Sequence, residues 1–280
     1  MNLRFLLTFT LALGAGLLPH TSAADAKPLK VLLVTGGGFH DYDQQHLILG
    51  AGLSARANVE VTFAHNPDKT TKTKVMWDIY RQKDWGKAWD VVIHDECSAE
   101  VTDPEYVGNI IAAHRDGTPA VNLHCAMHCY RWGEFQKPVA PGADNAHWYE
   151  MLGLQSTAHG PQEPIAIDYV DKASPITRGL AGWTTTKEEL YNNIQILTAH
   201  ALAKGTQTVT DKKSGEKKDV QSVVAWTNEF GPKKTRIFST TIGHNNETVA
   251  DRRYLDLVTR GLLWSCGQLD EAHLKPAAGK

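Results

Sequence analysis

Apolar, β-rich runs recur along the first half of the chain, with helical or loop segments between them. Four runs follow one another at intervals of about thirty residues: LKVLLVT (29–35), VEVTFA (59–64), WDVVIH (89–94) and TPAVNLH (118–124). This rhythm is typical of βαβ units, in which a crossover helix joins each strand to the next parallel strand. The pattern therefore predicts an α/β fold with a parallel, doubly wound sheet.

Two of the intervening segments carry helix signals. Segment 43–57 places Leu49 and Leu53 on helical spacing before the next strand begins. Segment 103–115 opens with Asp103 and Pro104, an N-cap residue followed by a proline at the first helical position. We expect both segments to be crossover helices.

The pattern changes beyond residue 160. The segments PIAIDYV (164–170), VQSVVAWT (220–227) and KTRIFSTTIG (234–243) are β-rich, and an amphipathic helix follows from about Thr248 to Trp264. The charged, glycine-containing stretch 208–222 lies between two β runs and predicts a solvated hairpin. We expect the second half to add antiparallel strands and a closing helix to the same sheet, giving a single domain over 24–267 and a surface tail over 268–280.

The first residues have the layout of a secretory signal peptide. Arg4 precedes the apolar run FLLTFTLALGAGLL, and Pro19 and the small residues TSAA follow it. We expect residues 1–23 to be removed near Ala23 or Ala24, and the protein to be periplasmic or extracellular. No later stretch reaches the roughly 18 apolar residues of a membrane-spanning helix, so no transmembrane segment is expected.

The charge balance narrows the class of partner. Without residues 1–23, 28 Lys and Arg face 31 Asp and Glu, a balance that does not favour nucleic acid or an anionic membrane as partner. A small, weakly charged ligand fits better, and no pattern specifies an oligomeric state.

Buried free thiols are the favoured interpretation of Cys97, Cys125, Cys129 and Cys266, although export would also permit disulfides.

Histidines accumulate where the predicted strands end, which is where ligand crevices form in open α/β sheets. Seven lie at or just past apolar runs: His40, His46, His94, His124, His128, His159 and His244. His124 and His128 have the i, i+4 spacing that can clamp a divalent metal, with further ligands from His40, Glu96, His159 or His244. The alternative is one catalytic imidazole beside a structural one.

Four other motifs supply candidate polar groups. VTGGGFHD (34–41) presents His40 and Asp41 after a glycine triplet, and VVIHDECS (91–98) places Asp95 or Glu96 at the sheet edge unless they cap a helix. KEELYN (187–192) suggests one exposed and one inward carboxylate, and STTIGHNNE (239–247) ends a strand at His244. Aromatic residues around His147 could stack on a sugar ring, although core packing is the favoured role for any single one of them.

These motifs, in this order, resemble those of the ThuA-like (trehalose utilisation) family. The resemblance spans about residues 29–266 and implies a class I glutamine amidotransferase-like fold, a flavodoxin-like three-layer sandwich with a mostly parallel sheet. The amidotransferase pattern P-V-L-G-x-C is matched by residues 119–124, which places His124 where the nucleophilic cysteine would be. His244, Asn245 and Asn246 stand in place of H-P-E, so a functional glutamine amidotransferase is not expected.

The resemblance also implies a role in the use of trehalose or other disaccharides through their 3-keto derivatives. We expect an exported isomerase, lyase or hydrolase that acts by acid–base chemistry, with no certain cofactor and a divalent metal as an option. The alternatives are a metal-dependent hydrolase and a non-catalytic carbohydrate-binding protein with aromatic platforms such as Trp148 or Trp226. The predicted catalytic residues are His124, His244 and Glu189, and the predicted substrate contacts are His40, Asp41, Glu96, His147, His159, Tyr191 and Trp226.

Overall fold

The structure is a computed structural model that describes residues 27–211, 213–270 and 272–275. The predicted signal peptide, residues 1–23, lies outside the described residues. In chain order the strands are β1 (Leu29–Gly37), β2 (Val59–Asn66), β3 (Val91–Cys97), β4 (Ala120–Leu123), β5 (Leu154–Gln155), β6 (His159–Tyr169), β7 (Trp183–Tyr191), β8 (Gln195–Ile196), β9 (His200–Thr210), β10 (Lys217–Phe230) and β11 (Thr235–Thr240). The α-helices are α1 (Tyr42–Arg56), α2 (Pro104–Arg115), α3 (His147–Leu152), α4 (Asn246–Val249) and α5 (Arg252–Ser265), with short 3₁₀ turns at Asp78–Arg81, Trp85–Ala88, His124–His128 and Asp144–Ala146.

A single mixed sheet organises the described residues. Its strand order is β2-β1-β3-β4-β11-β10-β9-β6-β7, and β5 pairs with β8 in a separate two-stranded sheet. The first five strands are parallel and form what we call the parallel half, whereas the last four are antiparallel and form the antiparallel half. Both the parallel strands of the first βαβ units and the antiparallel addition were predicted, and both are confirmed.

Helices cover both faces of the sheet and so build three layers. On one face α1 and α5 bury Leu53 and Leu262 against the sheet, together with Leu33. On the other face α2 and α3 bury Ile110 and Trp148 in a second core. This arrangement confirms the flavodoxin-like three-layer sandwich.

Local signals set the helix boundaries. The Asp103 carboxylate accepts hydrogen bonds from the backbone N–H groups of Glu105 and Tyr106, so α2 begins where its cap predicts. The closing helix is divided in two, because α4 ends at Val249 and α5 begins at Arg252 with Asp251 as its own N-cap. None of the helices in the described ranges combines the length and apolar character that a membrane crossing requires.

Candidate functional site

Three imidazoles meet at the carboxyl ends of the parallel strands. His40 follows β1, His124 comes directly after β4, and His244 follows β11. The ring centroid of His40 lies 4.6 Å from that of His124 and 4.9 Å from that of His244, and the last two are 5.4 Å apart. Residues that are far apart in sequence are therefore brought to one edge of the sheet, as the strand pattern predicted.

The backbone holds His124 at a sharp elbow. Its φ of +42° lies in the left-handed region, which few residues other than glycine adopt. Its Nδ1 lies 2.6 Å from the carbonyl oxygen of Thr241, so Nδ1 is the protonated nitrogen and donates that bond. Nε2 is consequently directed away from Thr241, toward Tyr191 and Glu189.

Glu189 reaches this edge from the antiparallel half. It lies on β7, the last strand of the sheet, and one of its oxygens is close to three imidazoles. Its Oε2 is 3.5 Å from Nε2 of His124, 3.7 Å from Nε2 of His159 and 3.4 Å from Nδ1 of His244. The site is thus built from both halves of the sheet around one carboxylate.

The titratable groups of this cluster shift one another's pKa values. Burial by itself would raise the pKa of Glu189, but hydrogen bonds with His124 and His244 and the charges of His124 and His159 outweigh it and hold the pKa well below its usual range. Burial would lower the pKa of His244, but Glu189 outweighs it and raises that pKa. Burial and the neighbouring His124 and His244 rings lower the pKa of His40 well below 6.5, so His40 is neutral at pH 7.

A cavity of about 410 Å³ opens beside the cluster. His40 and Glu189 line it directly, whereas His124 and His244 lie behind them. The volume falls in the range of small-molecule sites. The lining residues are Phe39, His40, Thr73, Cys97, Ala99, Cys125, His128, Arg131, Thr157, Ala158, His159, Glu189 and Tyr191.

Arg131 is a cavity residue that the sequence pattern did not indicate. Its Nη1 donates to the carbonyl oxygen of Thr157, and its Nε is buried with no hydrogen-bond partner among the described residues. The only sequence signal would have been its position three residues after His128, just past the histidine motif.

Glu188 has a structural task that differs from the prediction. The sequence suggested one exposed and one inward carboxylate at 188 and 189, but both side chains are buried. The Glu188 carboxylate accepts hydrogen bonds from the backbone N–H groups of Gly243, His244 and Asn245 at 3.0–3.3 Å. It therefore fixes the loop that carries His244.

Four predicted substrate contacts lie away from the cavity. Glu96 is fully buried under the sheet, where it accepts hydrogen bonds from Tyr80 and Tyr130. The expectation of a carboxylate over the sheet edge was wrong because β3 continues to Cys97 and keeps the whole HDE sequence inside the strand. Trp226 is fully buried and donates from Nε1 to the carbonyl oxygen of Leu152, so it offers no platform for a sugar.

His147 and Asp41 are the other two. His147 begins α3 and pairs with Glu150 at 3.1 Å, outside the cavity lining. Asp41 precedes α1 without a side-chain cap bond, and its carboxylate accepts a hydrogen bond from the side chain of Asn246. Trp148, the other candidate platform, is also fully buried and donates from Nε1 to the carbonyl oxygen of Ala126.

The predicted metal pair His124 and His128 is wrong. His128 lines the cavity, but its Nε2 lies 2.9 Å from Oγ of Ser156 and its ring stacks on Tyr191 with centroids 4.1 Å apart. Residues 124–128 form a 3₁₀ turn with about 3.0 residues per turn, so residues four apart point about 120° apart instead of about 40° as in an α-helix. Among the described residues, the group with metal-ligand spacing is His40, His124 and His244.

The four cysteines are free, as the favoured interpretation held, and three of them are buried, whereas Cys266 is partly exposed. A hydrogen bond with Cys97 and then burial raise the pKa of the Cys125 thiol well above 9. A protonated, buried thiol is a poor nucleophile, so the cysteine beside the elbow does not restore amidotransferase chemistry.

The glycine triplet at the end of β1 serves close packing of the chain on itself. A Cβ on Gly36 would lie 2.4 Å from the carbonyl oxygen of Asn66, and one on Gly37 would lie 2.6 Å from that of Cys97. The φ angles of both residues are also positive. These glycines therefore let β1 end tightly between its neighbours and direct the chain toward His40.

Comparison with known proteins agrees with this architecture. A ThuA-like protein from Parabacteroides merdae has a TM-score of 0.59 at 18% identity, covering 86% of this chain and 90% of its own. A ThuA-like protein from Bacteroides uniformis has a TM-score of 0.58 at 13% identity, covering 89% and 95%. A cold-adapted β-galactosidase from Rahnella sp. R3 matches at a TM-score of 0.50 and 13% identity, over 85% of this chain and 31% of its own.

At these identities the structural matches establish the fold alone, and the curated proteins contain no match. The sequence itself carries the assignment further: residues 30–265 match the family described as trehalose utilisation, ThuA. This match spans most of the chain and indicates a carbohydrate-related role. The chain belongs to the ThuA (trehalose utilisation) family.

Proposed function

We propose that the protein is an exported enzyme that acts on a disaccharide, a glycoside or its 3-keto derivative by histidine and glutamate acid–base chemistry. The observation that carries this proposal is the position of Glu189. Its Oε2 lies within 3.4–3.7 Å of three imidazole nitrogens at the wall of a sugar-sized cavity. Carboxylate and imidazole groups together supply the acceptor and donor that proton transfer near neutral pH requires.

A 3-keto sugar is a suitable substrate because its carbonyl acidifies the C–H bonds on both neighbouring carbons. Glu189 would accept a proton from one of these carbons while the carbonyl oxygen gains a proton from Nε2 of protonated His159, which gives an enediol. Return of the proton from Glu189 to the former carbonyl carbon, with loss of the hydroxyl proton on the neighbouring carbon to His159, completes an isomerisation. Loss of the C2 proton with cleavage of the C1–O bond, and protonation of the leaving oxygen, completes an elimination.

The exposure of each side chain indicates which residues transfer protons and which position Glu189. His159 is 43% exposed, and its Nδ1 donates to the carbonyl oxygen of Gly160, so its Nε2 is available for proton transfer beside Glu189. His124 and His244 are 3% and 12% exposed and contact Glu189 from behind. We therefore assign direct proton transfer to Glu189 and His159, and positioning of Glu189 to His124 and His244.

Deuterium exchange tests the proposal directly. The purified protein is incubated in D₂O with disaccharides and their 3-keto forms, and products are followed by NMR and mass spectrometry. We expect deuterium beside the carbonyl, and a loss of about 100-fold or more in Glu189→Gln because the acceptor is removed. Glu163→Gln is the matched control, since Glu163 is exposed on the neighbouring strand β6.

Binding of these sugars with neither exchange nor product formation would refute the enzymatic proposal and favour the carbohydrate-binding alternative. Equal exchange by Glu189→Gln and the unchanged protein would refute the role of Glu189.

Export is tested separately by fractionation of a bacterium that expresses the full chain. We expect the protein in the periplasm or medium, with a first residue of Ala24 or Asp25. Full-length protein in the cytoplasm would contradict export.

A further inference from the structure

The histidines at the carboxyl edge of the parallel half also have the arrangement of metal ligands. One nitrogen from each of His40, His124 and His244 can be chosen so that all three lie within 4.8 Å of one another. Their ring planes cross at 67–86°, so the rings approach a common point from different directions. Within the described parts of the chain, this is the one group of three potential ligands that is so placed.

We propose that His40, His124 and His244 bind one divalent transition-metal ion of the zinc class, with a further coordination position open toward the cavity. The proposal rests on the proposed function only for what the ion would do, namely polarise the carbonyl oxygen of the keto sugar. Binding of the ion itself does not depend on the identity of the substrate.

A hydrogen bond orients one of the three ligands, and a contact with Glu189 places a second. Metal-binding histidines usually donate their second ring nitrogen to a carbonyl or carboxylate, which fixes the tautomer that coordinates. His124 does this through Nδ1 to Thr241, at 2.6 Å, and so presents Nε2. Nδ1 of His244 lies 3.4 Å from Oε2 of Glu189, an arrangement that would leave its Nε2 for the ion.

His40 supplies an independent observation. Its Nδ1 is buried and has no hydrogen-bond partner among the described residues. A buried polar atom without a partner carries a desolvation cost of about 1–3 kcal/mol, so such atoms in folded proteins usually have a function. Coordination of an ion by this nitrogen would remove the deficit.

The geometry requires only local adjustment. Bonds of about 2.1 Å to a tetrahedral ion place its ligands about 3.4 Å apart. The three ligand atoms lie within 4.8 Å of one another, so they would have to approach by up to about 1.4 Å. A set of imidazoles selects Zn²⁺, Co²⁺ or Ni²⁺ over Mg²⁺ and Ca²⁺, which prefer oxygen ligands.

The test measures metal binding without substrate. The mature chain, prepared without a histidine tag, is stripped with a chelator, and Zn²⁺ and Co²⁺ are added. We expect one ion per chain by elemental analysis, visible Co²⁺ absorption bands and a raised Tm. His40→Gln and His124→Gln should weaken Zn²⁺ binding by about 100-fold or more because each removes one ligand.

Two histidine controls match these variants. His128→Gln removes a buried imidazole next to the group, and His200→Gln removes an exposed one that pairs with Asp171. Both should retain the ion. Circular dichroism checks that each variant folds. If His124→Gln does not fold, Zn²⁺ binding by His40→Gln, which changes a loop residue, tests the site.

Absence of stoichiometric Zn²⁺ or Co²⁺ binding by the folded protein would overturn the proposal, as would loss of the ion in His128→Gln but not in His40→Gln. Failure of this inference is distinct from failure of the proposed function. Deuterium exchange by a protein that binds neither Zn²⁺ nor Co²⁺ would refute the metal site and leave the enzyme, whereas stoichiometric ion binding without any exchange would refute the enzyme and leave the metal site.

Discussion

Glu188 and Glu189 have different environments because successive side chains of a strand point to opposite sides. Glu189 contacts the imidazoles, and Glu188 binds the backbone of the loop that carries His244. The alternation of side chains along β7 thus places Glu189 against the imidazoles and Glu188 against the backbone of the loop. KEELYN alone could identify the pair but not the partners, because the partners come from the loop after β11, the turn after β4 and the start of β6.

Glu188→Gln should destabilise the protein by about 2–3 kcal/mol, since one carboxylate oxygen becomes an amide group that faces backbone N–H donors. Urea unfolding measures this loss. Glu229→Gln makes the same chemical change on an exposed position of β10 and should be within about 0.5 kcal/mol of the unchanged protein. Equal stability of the two variants would show that the Glu188 bonds do not hold the loop.

His114 predicts a pH dependence of stability. Burial and the nearby His94 ring lower its pKa from 6.5 to about 3. Between these values the unfolded chain binds a proton that the native protein does not, so this contribution is complete above pH 6.5 and is lost as the pH falls toward 3.

The slope expected from His114 alone is at most about 1.4 kcal/mol per pH unit. His114→Gln keeps a donor for the Thr118 carbonyl and an acceptor for His94, and should flatten the dependence by about that amount. Urea unfolding at several pH values between 4 and 7 provides the comparison. The same slope in both proteins would contradict the assignment.

At the level of elements, strand rhythm and capping residues were sufficient to predict β1 to β4, α1, α2 and the β9–β10 hairpin. The errors arose where length or helix type mattered. Because β3 runs three residues beyond His94, Glu96 enters the core, and because residues 124–128 form a 3₁₀ turn, His128 does not share a face with His124. Apolar periodicity does not report either property, since both depend on packing against neighbouring elements.

Two helical glycines provide a matched test of packing. A Cβ on Gly261 in α5 would lie 2.4 Å from the buried ring of Phe238, whereas one on Gly108 in α2 would meet nothing within 4 Å. Gly108→Ala should therefore stabilise the protein by about 0.5–1 kcal/mol through helix propensity. Gly261→Ala should instead destabilise it by about 1–3 kcal/mol through overpacking.

Thermal or urea unfolding of the two variants gives the comparison. Changes of the same sign in both would mean that α5 does not need the glycine to approach β11.

At the scale of the molecule, the site depends on the path of the whole sheet. His40, His124 and His244 were predictable together because parallel strands end at one edge. Glu189, His159 and Tyr191 come from β6 and β7, at the opposite end of the strand order, yet Glu189 and His159 meet the group at this edge. The polar motifs and the family resemblance named these residues, but strand rhythm alone could not place them beside His124 and His244, because the twist that sets this arrangement arises from the assembled sheet.

Residues 273–275 contact residues 56–58, which the prediction of a surface tail did not specify. The N–H of Asn58 donates to the carbonyl oxygen of His273, and the N–H of Lys275 donates to that of Arg56. Leu274 forms a bridge with Ala57 and packs against the core under α1 and α5. These bonds tie residues 273–275 to the turn between α1 and β2.

Truncation after Gly267 should accordingly lower the free energy of unfolding by about 2–3 kcal/mol, because two backbone hydrogen bonds and the partial burial of Leu274 are lost. Truncation after Lys275 retains all three contacts and serves as the control. Urea unfolding of both shortened chains decides the matter. Equal free energies of unfolding of the two shortened chains would mean that residues 273–275 do not stabilise the fold. A lower free energy of unfolding in the shorter chain alone would show that these contacts stabilise the first βαβ unit.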